Sequence, residues 1–153
     1  MPDNPKPDPE PRHRAGVERT YANDAVTVFW APDFCIHAAN CIRAQPDAFD
    51  PARRPWVEVN NAKADDIAEA VMRCPTGALA FERHDGGAQE PVPEETTIDP
   101  RPNGPLFVRG RVRIVDARGN VVREGTRMAL CRCGGSSNKP FCDNTHRVIG
   151  FEG

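Results

Sequence analysis

A chain of 153 residues accommodates one ordinary domain or two small ones, and no apolar run approaches the roughly 20 residues that cross a bilayer, which argues against an integral membrane protein. Its residues are 39% hydrophobic and only 7% aromatic, and small domains with so little core need a metal, disulfides or oligomerisation for stability. The formal net charge of −2 conceals a basic surplus from Gly104 onward, which we interpret as a solvated strand face, with binding of an acidic partner as the alternative.

Six cysteines are the main chemical feature of the chain. The sequence from Met1 to Ala15 places prolines among charges and lacks the apolar segment of a secretory signal, so we expect a cytoplasmic location. Thiols stay reduced in that compartment, which favours metal binding over disulfide formation. Three disulfides are the alternative, because an even number of cysteines in a secreted chain indicates such pairing.

The N-terminal half is predicted to contain a disordered tail followed by a small module. Residues 1–23 are rich in proline and charge and poor in apolar anchors, so we predict a tail without packed structure. The module spans residues 24–83. Its β-rich run Ala25–Trp30 predicts a first strand, and the alternation in Trp56–Asn60 predicts a second short strand.

A helix is predicted to lead into Cys74. Apolar residues recur at helical spacing from Ile67 to Cys74, and acidic residues suit the first turn. Pro75 ends the helix, which places Cys74 at the end of the buried stripe. The run Ala78–Glu82 then predicts a closing strand.

The C-terminal half is predicted to be a second module joined by a linker. Residues 84–103 combine glycine, proline and an acidic bias, which is typical of a linker. The second module, residues 104–153, begins with a strand in which the arginines of Arg109–Arg113 alternate with smaller or apolar residues. The run Ala117–Asn120 predicts a hairpin turn into the next strand.

Four metal-binding side chains lie within sixteen residues near the C-terminus, namely Cys131, Cys133, Cys142 and His146. Structural zinc prefers cysteines with two to four residues between them, whereas Cys131 and Cys133 have one. Such a pair suits one iron of a binuclear cluster, with Cys142 and His146 on the second iron. Mononuclear zinc is the alternative.

The residues between these ligands suit a loop around an inorganic cluster. The pair Gly134–Gly135 allows backbone N–H groups to approach sulfide, and Ser136 offers another hydrogen bond. Pro140 stiffens the return of the loop. Asp143 is a suitable N-cap for a short helix that carries the histidine ligand.

This segment resembles the CDGSH iron–sulfur domain family, whose motif reads here Cys131-x-Cys133-x2-Ser136-x3-Pro140-x-Cys142-Asp143-x-Thr145-His146. The resemblance implies a 2Fe–2S cluster with the ligands Cys131, Cys133, Cys142 and His146. It also implies that four further residues contribute to the cluster-binding loop, namely Ser136, Pro140, Asp143 and Thr145. Asn144 stands where the family has glycine, and asparagine is the next best residue for a left-handed backbone.

The single histidine has two chemical consequences. A neutral imidazole in place of a thiolate makes the cluster less negative, which raises its reduction potential relative to all-cysteine ligation. Only the neutral ring binds metal, so we expect this cluster to become labile as the pH falls.

The other three cysteines have the arrangement of a ferredoxin site. Cys35 and Cys41 lie in one compact loop, while Cys74 is remote and is followed by proline. The usual cubane loop has a further cysteine between the first two, but Ala38 takes that position here. The site therefore offers three thiolates.

The stretch from about Val26 to Phe81 resembles the divergent single-cluster ferredoxins that bind 4Fe–4S. The missing cysteine leaves two options. One is a 3Fe–4S cluster on Cys35, Cys41 and Cys74, and the other is a 4Fe–4S cluster whose fourth iron takes His37 or an exogenous ligand. We favour ligation by the three cysteines. The alternative to any cluster is three buried thiols that behave as small hydrophobic groups.

These features predict an α+β protein, with a small ferredoxin-like iron–sulfur module followed by a β-rich CDGSH-type iron–sulfur module. The sequence has no phosphate-cradling glycine loop, nucleophile elbow or nicotinamide fingerprint, so we expect a one-electron carrier and not an enzyme. Cluster transfer, or redox or iron sensing, is the alternative. We expect a redox partner protein or an apo iron–sulfur acceptor, a homodimer, and no nucleic-acid or membrane partner.

Overall fold

The computed structural model describes residues 18–153, so most of the predicted tail lies outside the described residues. The described part forms two three-stranded antiparallel sheets, two short 3₁₀ helices and few α-helices, which is consistent with small iron–sulfur modules. The strands are β1 (Arg19–Ala22), β2 (Val26–Trp30), β3 (Leu79–Arg83), β4 (Thr97–Pro100), β5 (Leu106–Val115) and β6 (Val121–Leu130). The α-helices are α1 (Asn40–Ala44), α2 (Ala64–Met72) and α3 (Thr145–Val148). None of these helices is long and apolar enough to cross a bilayer.

The first sheet has the strand order β1-β2-β3 and packs against α2. Asn23 forms the turn between β1 and β2, because its side-chain oxygen accepts hydrogen bonds from the N–H groups of Ala25 and Val26, each at 2.9 Å. Ile67 and Val71 lie on the predicted apolar stripe of α2 and are fully buried. Burial of each such aliphatic side chain contributes about 1.5–3 kcal/mol. The helical periodicity is therefore confirmed.

Two predicted features of the N-terminal half differ from the structure, namely the extent of the tail and the second strand. β1 lies in the last residues of the predicted tail, because its backbone pairs with β2, a partner that local composition does not reveal. The run Trp56–Asn60 is not a regular strand. Val57 forms only an isolated bridge with Phe49, and the chain then enters a 3₁₀ helix in which the Glu58 carboxylate accepts from the Asn60 N–H at 3.1 Å.

The end of α2 also differs from the prediction. The helix ends at Met72, so Cys74 lies beyond it and not on its last turn. The N–H groups of Arg73 and Cys74 still donate to the carbonyls of Ala70 and Val71, at 3.2 and 3.0 Å. These tight bonds bring Cys74 back over the end of the helix, where it packs partly buried against the core.

The second sheet has the strand order β4-β5-β6. β4 lies in the predicted linker, because its residues pair with β5. The predicted hairpin between β5 and β6 is confirmed, with the Asp116 carboxylate accepting from the N–H groups of Arg118 and Asn120 at 2.8 Å. A register shift near Gly110, whose φ is 138°, interrupts the alternation of β5. Arg109 is therefore half-buried and not on an exposed basic face.

The two halves of the chain pack directly on each other. The buried Arg127 of β6 donates to the backbone carbonyls of Val71, Cys74 and Leu79, at 2.9, 2.6 and 2.8 Å. Its guanidinium also pairs with the buried carboxylate of Glu90 at 3.0 Å. The division into two modules stays a prediction from sequence, while their association through this arginine is a feature of the fold.

A second contact follows the backbone after Cys74. Gly77 has a φ of 68°, and a Cβ atom added there would lie 2.4 Å from the carbonyl oxygen of Arg127. The guanidinium of Arg123 donates to the Gly77 carbonyl at 2.8 Å and lies 3.6 Å from the centre of the Phe34 ring. Glycine at this position allows β6 to approach the loop that follows Cys74.

Candidate metal centres

The four C-terminal ligand candidates meet in one pocket and form two close pairs. The Sγ atoms of Cys131 and Cys133 lie 3.8 Å apart, and the Cys142 Sγ lies 3.5 Å from the His146 Nδ1. Two thiolates bound at about 2.3 Å to one tetrahedral metal lie about 3.8 Å apart. Each pair therefore has the separation expected for two ligands of the same metal.

This pairing suits a binuclear centre, because each pair supplies two ligands at the separation found on one metal. Two pairs that each suit one metal match the donor set of a binuclear cluster. The residues present therefore fit a 2Fe–2S centre.

The loop that carries these ligands is fixed to the end of β6. The Cys131 N–H donates to the Pro140 carbonyl at 2.8 Å, and the Cys142 N–H donates to the Ala129 carbonyl at 2.9 Å. An isolated bridge joins Leu130 to Phe141. The chain thus leaves β6, turns, and returns beside it, which brings Cys142 back to Cys131.

Backbone N–H groups stabilise the thiolates. The amide of Gly135 donates to the Cys133 Sγ at 3.3 Å, and that of Asn144 donates to the Cys142 Sγ at 3.4 Å. Burial opposes ionisation of Cys131, but hydrogen bonds from the backbone of Ser136 and its neighbours outweigh it and lower the pKa of the thiol. These amides support the prediction of a loop that wraps an anion.

The remaining two ligands differ in their ionisation. Burial raises the pKa of the Cys142 thiol, and the neighbouring Cys131 adds to this effect. Burial also lowers the pKa of His146, helped by the positive charge of Arg147. A lowered pKa keeps the imidazole neutral at physiological pH, which is the form that binds metal.

Three of the loop residues predicted to contribute act by holding the loop in shape. The Ser136 hydroxyl donates to the Phe141 carbonyl at 2.6 Å, which fixes this side chain within the loop. Pro140 supplies the carbonyl that receives the Cys131 N–H. The Asp143 carboxylate accepts from the Ser137 N–H at 2.8 Å.

Asp143 and Thr145 are close partners, but the predicted cap is displaced by one residue. The Asp143 carboxylate accepts from the N–H and the hydroxyl of Thr145, at 3.0 and 2.5 Å. Thr145 is the first residue of α3, so Asn144 occupies the N-cap position with a φ of 73°. The left-handed backbone expected at Asn144 is therefore confirmed. The hydrogen bond from Thr145 lowers the pKa of Asp143.

The three N-terminal cysteines line a second pocket, separate from that of the C-terminal ligands. Cys35, Cys41 and Cys74 are all partly buried and carry no disulfide. Positive φ angles at His37 and Ala39, 56° and 62°, turn the chain between the first two cysteines.

Buried indole N–H groups in this pocket fit an acceptor-rich group. The Trp56 indole N–H has no hydrogen-bond partner within residues 18–153, and the Trp30 indole N–H is directed at the Cys35 thiol. Both rings line the pocket. The sulfides of an iron–sulfur cluster accept such hydrogen bonds. The Nδ1 of His37 lies 3.9 Å from the Cys35 Sγ, so His37 stands beside one ligand candidate, and both options for the fourth ligand stay open.

Ionisation differs among these three thiols. Burial raises the pKa of Cys35, and burial together with the Cys74 charge raises that of Cys41 to about 11. Burial acts in the same direction on Cys74, but the charge of Arg127 and hydrogen bonds from Leu79 and Thr76 outweigh it and lower the pKa of that thiol. Cys74 is therefore the thiol that ionises most readily.

Sequence reasoning missed the basic groups behind Cys74. Arg123 and Arg127 belong to a strand that was predicted only from its hairpin turn, and Glu90 belongs to the predicted linker. The available signal was an arginine that directly precedes the apolar run Met128–Leu130. If this arginine is buried it needs a partner, but the sequence does not show which residue that is.

Comparison with known proteins finds a family match in each half of the chain. Residues 21–84 match the family model for a divergent 4Fe-4S mono-cluster, and residues 103–147 match the model for an iron-binding zinc finger of CDGSH type. Each segment is similar to the family that it matches. The mono-cluster segment includes all three N-terminal cysteines, and the CDGSH segment includes all four C-terminal ligand candidates.

Two curated relatives are similar to part of this chain. Both are named "Uncharacterized protein YjdI", one from Escherichia coli strain K12 and one from Escherichia coli O157:H7. Each is 29% identical over 69 residues, which is 45% of this chain and 90% of the relative. The similarity thus spans almost the whole relative but less than half of the present protein.

Proposed function

We propose that this protein is a one-electron carrier with two iron–sulfur clusters and no enzymatic activity of its own. One cluster is a 2Fe–2S centre held by Cys131, Cys133, Cys142 and His146. The other is a 3Fe–4S or 4Fe–4S centre held by Cys35, Cys41 and Cys74. The observation that carries the proposal is the convergence of every cysteine of the chain into two separate pockets. Such clusters accept and release single electrons when bound.

The protein's own groups support this role at both sites. At the C-terminal site, backbone amides donate to thiolates and burial keeps His146 neutral. At the N-terminal site, the charge of Arg127 favours the Cys74 thiolate. Partial burial of the ligands limits contact with water while leaving an edge of each pocket accessible to a partner.

Metal analysis of matched variants tests the proposal. Cys74→Ser disables the N-terminal site alone, and Cys142→Ser disables the C-terminal site alone. We expect iron and sulfide in the full chain to fall in each variant by the share of one cluster. In EPR, the Cys74→Ser variant should retain only the signal of a reduced 2Fe–2S centre, and the Cys142→Ser variant should lose it. Retention of the full iron content in either variant would contradict the assignment of that site.

Cluster transfer to an apo-protein is a second candidate, favoured by the exposure of the C-terminal site. His146 is only half-buried, and the next two residues after Arg147, Val148 and Ile149, are 86% and 55% exposed. A partner could therefore reach the imidazole directly. In this role the 2Fe–2S cluster is cargo, and the partner is an apo iron–sulfur acceptor in the cytoplasm.

Mixing the loaded protein with an apo-ferredoxin separates the two functions. Retention of the visible absorbance by this protein, with the cluster both oxidised and reduced, supports the carrier. Movement of the absorbance to the ferredoxin supports transfer. The matched variant His146→Cys replaces the neutral ligand with a thiolate, so it should transfer more slowly if the imidazole is the point of release.

A further inference from the structure

The two proposed ligand loops pack against each other, and Asn144 adds a hydrogen bond between them. This asparagine lies between Cys142 and His146, and its side-chain Nδ2 donates to the backbone carbonyl of Ile36 at 2.5 Å. Ile36 lies directly after Cys35 in the N-terminal ligand loop. This side chain therefore forms a polar link between the loop of one site and the loop of the other.

The same residue also contacts a ligand of its own site. The backbone N–H of Asn144 donates to the Cys142 Sγ at 3.4 Å. Beneath this contact, the buried side chains of Ile36, Cys142 and Ala129 pack together in one apolar cluster. A shift of the Ile36 carbonyl would thus reach the Cys142 thiolate through Asn144.

Neither backbone geometry nor general stability accounts for an asparagine at this position. The φ of 73° suits glycine better than any other residue. The Oδ1 of Asn144 is buried without a hydrogen-bond partner in the described part of the chain, which offsets much of what the Nδ2 bond contributes. What the side chain adds over glycine is the bond to Ile36.

We propose that Asn144 couples the two sites, so that a cluster in the N-terminal site strengthens retention of the cluster in the C-terminal site. A loaded N-terminal site fixes Cys35 and with it the Ile36 carbonyl, which holds Asn144 and the amide that it presents to Cys142. The inference rests on the proposed loading of both sites. Because coupling between binding sites is reciprocal, the effect runs in both directions.

A cycle of four full-length proteins measures the coupling. They are the wild type, Cys41→Ser, Asn144→Gly and the double variant, each loaded and then mixed with an iron chelator. The readout is the rate at which the 2Fe–2S absorbance of the C-terminal site is lost. Cys41→Ser should accelerate this loss by about fivefold in the wild-type background, the effect of one buried hydrogen bond. In the Asn144→Gly background the acceleration should be clearly smaller, because only the packing of Ile36 against Cys142 still joins the loops.

A control tests whether any contact between the halves would act in the same way. The Asn138 Nδ2 donates to the Asp33 carbonyl at 3.0 Å, which is also a side-chain bond between the two halves, but neither residue is adjacent to a ligand. Asn138→Ala should preserve the full effect of Cys41→Ser. Loss of the effect in this variant would overturn the role of Asn144 and indicate a general property of the interface.

The remaining outcomes separate the coupling from the proposed function. Equal acceleration with and without the Asn144 side chain would overturn the coupling while leaving two loaded sites. Failure of the wild type to bind iron at both sites would overturn the proposed function and the coupling together. If Cys41→Ser does not fold, Cys133→Ser tests the reverse direction, with loss of the N-terminal cluster as the readout.

Discussion

The charge of Asp85 depends on the groups that surround its carboxylate. Its carboxylate accepts from the Arg83 guanidinium at 2.7 and 2.9 Å and from the Gly87 N–H at 3.0 Å. These bonds, that of Arg83 above all, lower the pKa of Asp85 from 3.8 to about 2. Because the folded-state pKa lies below the ordinary one, the ionised carboxylate stabilises the fold above pH 3.8. This stabilisation disappears as the pH falls to about 2.

We therefore expect Asp85→Asn to have a lower Tm than the wild type near neutral pH, and the difference to shrink between pH 3.8 and about 2. Thermal unfolding followed by circular dichroism over that range measures the difference. Asp24→Asn, at an exposed position in the turn between β1 and β2, removes the same charge and serves as the control. A difference in Tm that stays constant with pH would contradict the prediction.

At the scale of elements, local sequence patterns correctly predicted the helix and the turn whose interacting residues lie close together in the chain. The apolar stripe of α2 and the turn between β5 and β6 depend on residues within one or two turns of the chain, so their signals are complete in the sequence. β1 and β4 add edge strands to neighbours, and their exposed residues carry no apolar alternation. Their positions depend on pairing, which composition does not encode.

The stability of β6 can be tested at Arg127, which forms a buried ion pair with Glu90. Arg127→Met should lower the free energy of unfolding by about 3–5 kcal/mol, since it leaves the buried Glu90 charge without its ionic partner and three carbonyls without their donor. Denaturant unfolding followed by tryptophan fluorescence measures this loss.

Two further variants identify the cause of that loss. Arg113→Met, on the adjacent strand, breaks a more exposed pair with Glu124 and should cost less than about 1 kcal/mol. Combining Arg127→Met with Glu90→Leu should recover part of the stability, because the buried carboxylate is then removed together with its guanidinium partner. Equal losses at Arg113 and Arg127 would show that burial does not determine the effect.

At the scale of the whole molecule, the sequence predicted two modules separated by a linker, and the structure places part of that linker in the interface. Glu90 lies within the predicted linker, yet it is buried and pairs with Arg127. Arg127 in turn reaches the Val71 carbonyl, 56 residues earlier in the chain. The seven ligand candidates were proposed from their local spacing in the sequence. The contact between their two loops was not predicted, because contacts at such separation leave no periodic signal.

Cutting the connection between the halves tests whether the interface alone holds them together. Residues 91–96 are exposed, and Glu94 and Glu95 lie outside any strand, so a glutamate-specific protease should cleave the loaded protein there first. We expect the two fragments to elute together in size-exclusion chromatography, because the contacts of Arg127 and Arg123 lie outside the cut segment. The same cut in Arg127→Met should release separate fragments, since the main polar contact between the halves is lost. Separation of the wild-type fragments would show that the covalent connection, and not the buried arginine, keeps the two sites in one unit.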